Sequence, residues 1–239
     1  MKQVDFANDP LQQPAKTVTE SVYRKLRSDI IWGRLPPGAP LKSDELRKRY
    51  GAGISPLREA LSRLTSEKLA ISSGQRGFRV AGIGAENIVD VMETRIIIES
   101  AALRRSIEIG DVNWEMRVVA THHALSRFSF PTSHGEEAGA WTAQHKAFHM
   151  ALLSACQSEW QIYLADLLFD QAERFRILRA IKTIATESDR DPLLEHQRIL
   201  EAVLDRDADA SVAALSDHYR ATKCMALEVI RAQKDGADG

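Results

Sequence analysis

The chain has 239 residues, of which 44% are hydrophobic, enough for one large or two modest domains with a packed core. No apolar run approaches the roughly 20 residues that a membrane-spanning helix needs, which argues against a membrane protein. A net charge of −1 conceals an asymmetry: residues 1–80 carry 15 Lys and Arg against 8 Asp and Glu, and residues 81–239 carry 17 against 25. A basic first part joined to an acidic second part points to a polyanionic partner for the first.

In chain order, the opening "MKQVDFANDPLQQPAKTVTE" lacks the apolar core of a signal peptide. Residues 1–16 read as a polar arm. A first helix is expected over about Thr19 to Trp32, with Val22, Leu26, Ile30 and Ile31 as its apolar stripe. "GRLPPGAPLK" breaks it. Ser43 is the expected cap of a short second helix, "DELRKRYG", whose acids fall where the helix dipole favours them. In "GISPLREALSRLTSEKLA" Leu57, Ala60, Leu61 and Leu64 recur at helical spacing, Ser55 is the expected N-cap, and Pro56 suits the first helical position. Arg58, Ser62, Arg63 and Ser66 are left on the outer face, which by itself suits a solvated helix as well as a binding one. "LAISSGQRGFRVAGI" reads as two short strands around a turn. Three helices followed by a hairpin is the order of a winged helix-turn-helix, expected over 17–83.

Beyond Gly84 the pattern changes to long helices: Glu86–Ile109, Asn113–Phe128, Gly139–Cys156, Glu159–Lys182, Pro192–Asp205 and Ala208–Arg231. This predicts a mainly α chain whose second domain, 84–233, is an all-helical bundle of about six helices, followed by a short tail at 234–239. Cys156 and Cys224 sit in apolar helical patterns and are expected to be buried free thiols, in keeping with a cytoplasmic protein. His145 and His149, four residues apart, project from one helix face, and His196 and His218 lie on two later helices. Such a pair in a helical protein is more often structural than metallic. His122, His123 and His134 are expected to be solvated.

Taken together, "LPPGAPLKSDELRKRYGAGISPLREALSRLTSEKLA" with "GQRGFRVA" resembles the winged-helix domain of GntR-type transcription regulators. "METRIIIESAAL", "HKAFHMALLSAC", "LLEHQRILEAVLDRDADA" and the late "DHY" resemble the FCD ligand-binding domain of the FadR-type branch. The resemblance covers about 200 residues in the expected order. It implies that the third helix enters the DNA major groove with its N-terminus close to phosphates. Arg58 would be a phosphate or guanine contact, and Lys42, Ser43, Gly53, Ser55 and Arg63 would position the helix. Gln75 and Arg76 at the hairpin tip would reach the adjacent minor groove or backbone. Many members have "SRTP" where this chain has "GISP". Ile54 thus replaces an arginine and offers a thymine methyl an apolar contact in place of a donor to guanine, so the operator is not borrowed from the family.

The resemblance also implies a divalent metal, held in such domains by an Asp or Asn and three His. The matching positions are His145, His149, His196 and His218, with His145 standing where Asp is usual. Four imidazoles suit Zn²⁺ or Ni²⁺, and losing a negative ligand favours an anionic effector. Alternatively, His145 hydrogen-bonds the effector without ligating the metal. Arg95 in "ETRIIIE" either pairs with Glu99 at i+4 or, as the resemblance implies, grips an acidic effector; Arg174 and Arg176 are further candidates. The expected function is a ligand-responsive transcription regulator, most often a repressor in this family. It would bind a palindromic operator as a homodimer, sense a small carboxylate, and have no membrane partner. Two alternatives stand beside it. A metal-dependent hydrolase would use the His cluster, although "HKAFH" lacks the glutamate of a metalloprotease helix. The other is a DNA-binding module whose metal is purely structural.

Overall fold

The computed structural model describes residues 15, 17–74, 77–129, 136–181 and 190–235. The chain divides into two compact units, with the boundary between Ile83 and Gly84.

In the first unit, α1 (Val18–Ile31) is capped by Thr17, whose hydroxyl accepts from the Glu20 N–H. After the turn, β1 (Pro40–Leu41) leads into α2 (Ser43–Tyr50) and α3 (Ile54–Ser66). Two strands follow, β2 (Ala70–Ser72) and β3 (Phe78–Val80). They form an antiparallel sheet of order β1-β3-β2, pairing Leu41 with Phe78 and Ala70 with Val80. Leu57, Ala60, Leu61 and Leu64 of α3 face inward with Val22, Leu26 and Ile30 of α1 and Leu46 of α2. Truncating one such leucine costs about 2–5 kcal/mol, so the face opposite Arg58 fixes how α3 is presented.

Three local expectations are corrected. Helix α3 starts one residue before Ser55, because the Gly53 carbonyl already accepts from the Leu57 N–H. Gly53 is therefore the cap. Pro56 lies in the first turn, where helical N–H groups have no intrahelical partner and its missing donor costs nothing. Ser43 is the first residue of α2 and Lys42 occupies the cap position, without a side-chain capping bond. Strand β1 was not expected, since two residues carry no readable alternation.

In the second unit six helices are described: α4 (Ala85–Ile109), α5 (Val112–Ser126), α6 (Glu136–Leu153), α7 (Glu159–Ile181), α8 (Pro192–Leu204) and α9 (Ala208–Asp235). Helix α4 packs against α9, α7 and α6; α8 covers α9, and α5 lies against α6 and α8. Trp114 is fully buried and its indole N–H donates to the Ala151 carbonyl at 2.9 Å, tying α5 to the end of α6. Asp191 caps α8 by accepting from Leu193 and Leu194, which sets where His196 enters the bundle. Cys156 is buried, but Cys224 is exposed, because its position on α9 falls outside the inward stripe. His122 is half-buried with its ring against Phe148, contrary to the solvated expectation, while His134 lies outside the described residues. Among the described residues no helix is long and apolar enough to cross a membrane.

Candidate nucleic-acid interface and metal centre

On the first unit, Ile54, Ser55, Arg58, Glu59, Ser62 and Phe78 line one open groove between the outer face of α3 and β3. Ile54 is 50% exposed despite its apolar side chain. Arg58 is exposed and has no ion pair among the described residues. The other α3 arginine is placed differently. Arg63 lies about 140° round the helix from Arg58 at 100° per residue. Its guanidinium pairs with Glu20 at 3.0 Å and Glu67 at 3.3 Å and sits 3.6 Å from the Tyr23 ring. It therefore fastens α3 to α1. Lys42 is exposed and paired with Glu45 at 2.9 Å, Ser43 is half-buried, and Gly53 and Ser55 are exposed at the head of α3. Gln75 and Arg76 lie outside the described residues.

In the second unit the four histidines come together. His145 and His149 on α6, His196 on α8 and His218 on α9 are all buried, and one nitrogen of each ring lies within 4.8 Å of one from every other. The periodicity of α6 brings its pair to one side, and the packing of α8 on α9 supplies the other two.

Outside the cluster, hydrogen bonds set the tautomers of His218 and His149. Glu195 Oε2 lies 2.7 Å from His218 Nδ1, while Arg190 Nη2 is 3.3 Å away, so the shorter bond to the carboxylate decides that Nδ1 carries the proton. His218 Nε2 is then a bare lone pair, buried and without a hydrogen-bond partner among the described residues. For His149 the logic runs through Tyr219. The phenol donates its single proton to Glu99 at 2.5 Å and accepts from Arg95 Nη2 at 2.9 Å. It must also accept at the 3.0 Å contact with His149 Nδ1, which leaves His149 Nε2 unprotonated. His149 Nε2 and His196 Nε2 are 3.4 Å apart, and His196 Nδ1 has no partner among the described residues. Buried polar atoms rarely go without partners. The orphaned Nε2 of His218, whose other nitrogen faces a carboxylate, and the Nε2 lone pair of His149, set by the phenol, fit a cation held by neutral imidazoles.

The electrostatics agree. Burial pushes His145, His149 and His196 well below the usual histidine range, assisted for each by neighbouring rings and arginines. Burial also lowers His218, which Glu195 pulls back to about 4. Burial works against the charge of Glu195, but Arg190 and His218 hold its carboxyl down at about 2. The rings are thus neutral at pH 7, as metal ligands must be.

Of the arginines expected at the effector, Arg95 and Arg176 are buried beside this cluster, and Arg174 is buried elsewhere on α7. Arg95 binds Glu99 through Nε at 2.7 Å and lies over the Tyr219 ring, the i+4 pairing recognised as one of its two readings. Arg174 donates to Gln171 at 3.1 Å, and burial lowers it to about 10. Arg176 donates to Glu173 at 2.5 Å and to His145 Nδ1 at 2.8 Å. Sequence reasoning named Glu99 as a partner of Arg95 and missed Glu173, Arg190, Glu195 and Tyr219. Of those missed, only Tyr219 carried a signal, as the last residue of "DHY".

Residues 18–80 match the family described as "Bacterial regulatory proteins, gntR family", and residues 90–221 match the "FCD domain". The chain is 34% identical over 209 residues to the HTH-type transcriptional regulator BphR of Paraburkholderia xenovorans (strain LB400), covering 87% of this chain and 84% of that protein. It is 33% identical over 197 residues to the HTH-type transcriptional repressor GlaR of Escherichia coli (strain K12), covering 82% and 90%. The solved structure of E. coli McbR/YncC shares the fold at a TM-score of 0.71 and 18% identity, over 89% of this chain and 98% of that one. With both domains matched in order, the chain belongs to the GntR family of bacterial regulatory proteins, a helix-turn-helix transcription regulator carrying an FCD domain and not an enzyme.

Proposed function

We propose that the protein is a cytoplasmic, ligand-responsive repressor that binds a palindromic operator as a homodimer. Residues 17–83 read DNA, and 84–233 dimerise and sense a small carboxylate at a divalent metal, Zn²⁺ or Ni²⁺. The observation that carries the sensing part is the buried four-histidine cluster with tautomers set by Tyr219 and Glu195. His149, His196 and His218 would hold the ion, which would supply a positive charge for a carboxylate oxygen. Repression is supported by the name of the GlaR relative. Arg95 is assigned to orienting His149 through Tyr219, Arg176 is the cation held nearest the effector through His145, and Arg174 remains a further candidate. The hydrolase alternative is not favoured: Glu99, Glu173 and Glu195 each already bind an arginine.

The DNA contacts are centred on Ile54, Ser55 and Arg58, with Lys42, Ser43 and Gly53 at the edge. Arg58→Ala should weaken operator binding roughly tenfold or more and make the slope of log K against log salt shallower by about one. Arg63→Ala should lower thermal stability and leave that slope nearly unchanged. A salt-titrated anisotropy assay reads both, and an unaltered slope in Arg58→Ala removes that residue from the interface. Sensing is tested on DNA upstream of the protein's own gene. With Zn²⁺ or Ni²⁺ bound, an effector carboxylate should lower operator affinity by about 5- to 150-fold, the usual range of allosteric coupling. A panel of small mono- and dicarboxylates that leaves operator affinity unmoved would count against sensing and for a purely structural metal.

A further inference from the structure

The four rings of the cluster do not present the same atom to it. His149 and His218 each face an acceptor through Nδ1, the Tyr219 oxygen and the Glu195 carboxylate, and so keep a lone pair on Nε2. His145 is the reverse. Its Nδ1 lies 2.8 Å from Arg176 Nη1, and a guanidinium can only donate. Nδ1 must therefore be an unprotonated acceptor, which also means that the ring is not an imidazolium. A neutral ring with a bare Nδ1 carries its proton on Nε2. Neither nitrogen then has a lone pair to offer a metal: one is engaged by Arg176 and the other is an N–H. The opposite ring orientation would set a C–H against the guanidinium and forfeit the bond. Arg176 is itself anchored by Glu173, and the His145 ring is stacked on Trp141 at 4.6 Å and tilted against Phe169 at 5.2 Å.

We infer that His145 is not a fourth metal ligand but the hydrogen-bond donor of the effector site, its tautomer imposed by Arg176, so that Nε2–H binds an anionic oxygen held at the metal. The inference rests on the metal reading above. Its second support is that His145 Nε2 is buried and has no partner among the described residues, in a ring whose centre is 4.5, 5.0 and 6.2 Å from those of His149, His196 and His218. A buried donor left unmade is costly, and an acceptor arriving beside the three other rings relieves it. An Asp at this position, as the family resemblance implies elsewhere, would bring a negative charge and ligate. A histidine locked by Arg176 leaves the ion more positive and adds a donor, and both changes favour a carboxylate.

The test uses the full-length protein, Co²⁺ as the metal and acetate as the anion, with the visible spectrum of bound Co²⁺ as the readout. Wild type and His145→Ala should each bind one Co²⁺ per chain, with affinities within about tenfold. Acetate should bind the Co²⁺ form of His145→Ala roughly 10- to 100-fold more weakly, the worth of a hydrogen bond to a charged group. His145→Gln, which keeps an N–H donor, should recover most of that loss. Arg176→Met should free Nδ1, let the proton move there, and convert His145 into a ligand, seen as tighter Co²⁺ binding and a shifted spectrum. Loss of Co²⁺ from both His145 variants overturns the inference and leaves the metal reading standing. So does acetate binding that is unchanged in His145→Ala. A wild-type protein that takes up no Co²⁺ overturns both.

Discussion

His149→Ala should lower the divalent-metal affinity of the full-length protein by at least about 100-fold, a larger loss than any change to a residue that only orients a ligand. The ring is buried in α6, its Nε2 lies 3.4 Å from His196 Nε2, and its Nδ1 is fixed by Tyr219. Alanine removes the lone pair with nothing nearby to replace it, since Glu99 and Arg95 are already engaged with Tyr219 and each other. Tyr219→Phe keeps the ring and removes the oxygen that accepts from Nδ1. It should lose about 10- to 100-fold, the usual cost of removing the partner that orients a metal-bound histidine. His145→Ala should lose least. Elemental analysis after dialysis and competition with a chromogenic chelator give the ordering. Stoichiometric metal retained by His149→Ala would remove that ring from the site.

Much of this was legible in the sequence, because the informative features are periodic. The stripe Leu57, Ala60, Leu61, Leu64 located α3, and the i, i+4 spacing of His145 and His149 put both rings on one face before any fold was known. Helix α9 was read nearly to length for the same reason. What escaped depends on atoms meeting across elements. Arg190 and Glu195 lie close in sequence, yet nothing local shows that they converge on His218 of α9. Arg95 kept two readings, a pair with Glu99 or a hand for an effector, because spacing cannot show that the guanidinium also reaches Tyr219. Arg63 was assigned to DNA from its helix, whereas its direction toward Glu20 and Tyr23 is set by how α1 packs. Ser55 and Ser43 are good caps by residue type, and each lost the cap position to the residue before its helix's first turn, Gly53 and Lys42. His145 could not be resolved from sequence at all: its role turns on which nitrogen meets Arg176, and that contact joins α6 to α7.

Removing the metal should leave a protein whose second unit is destabilised by mild acid. All four rings have folded-state pKa values below the ordinary 6.5, His218 at about 4, because burial and the neighbouring cations and rings oppose a second proton. Between those folded values and 6.5 the unfolded chain binds more protons than the folded one, so stability rises with pH through this window. The stabilisation is fully present above about 6.5 and is lost as pH falls toward 4. For His218 alone the shift corresponds to about 3 kcal/mol. The other rings act in the same direction and are coupled, since charging one raises the cost of charging the next. Glu195 extends the effect downward: its carboxyl, held at about 2 against an ordinary 4.5, gives stability that is lost as pH falls from 4.5 toward 2. Circular-dichroism melts of the chelator-treated protein should therefore show a nearly flat midpoint above pH 6.5 and a steep fall from 6.5 to 4. Adding Zn²⁺ should raise the midpoint at pH 7.5, and the increment should hold while the folded rings stay neutral and shrink as pH falls toward 4, where protons compete for the same nitrogens. His218→Gln should make the acid slope shallower, by the loss of one linked proton. A midpoint that stays level from pH 7 to pH 4.5 in the metal-free protein would mean that the rings are not held neutral, and the cluster would lose its case as a ligand set.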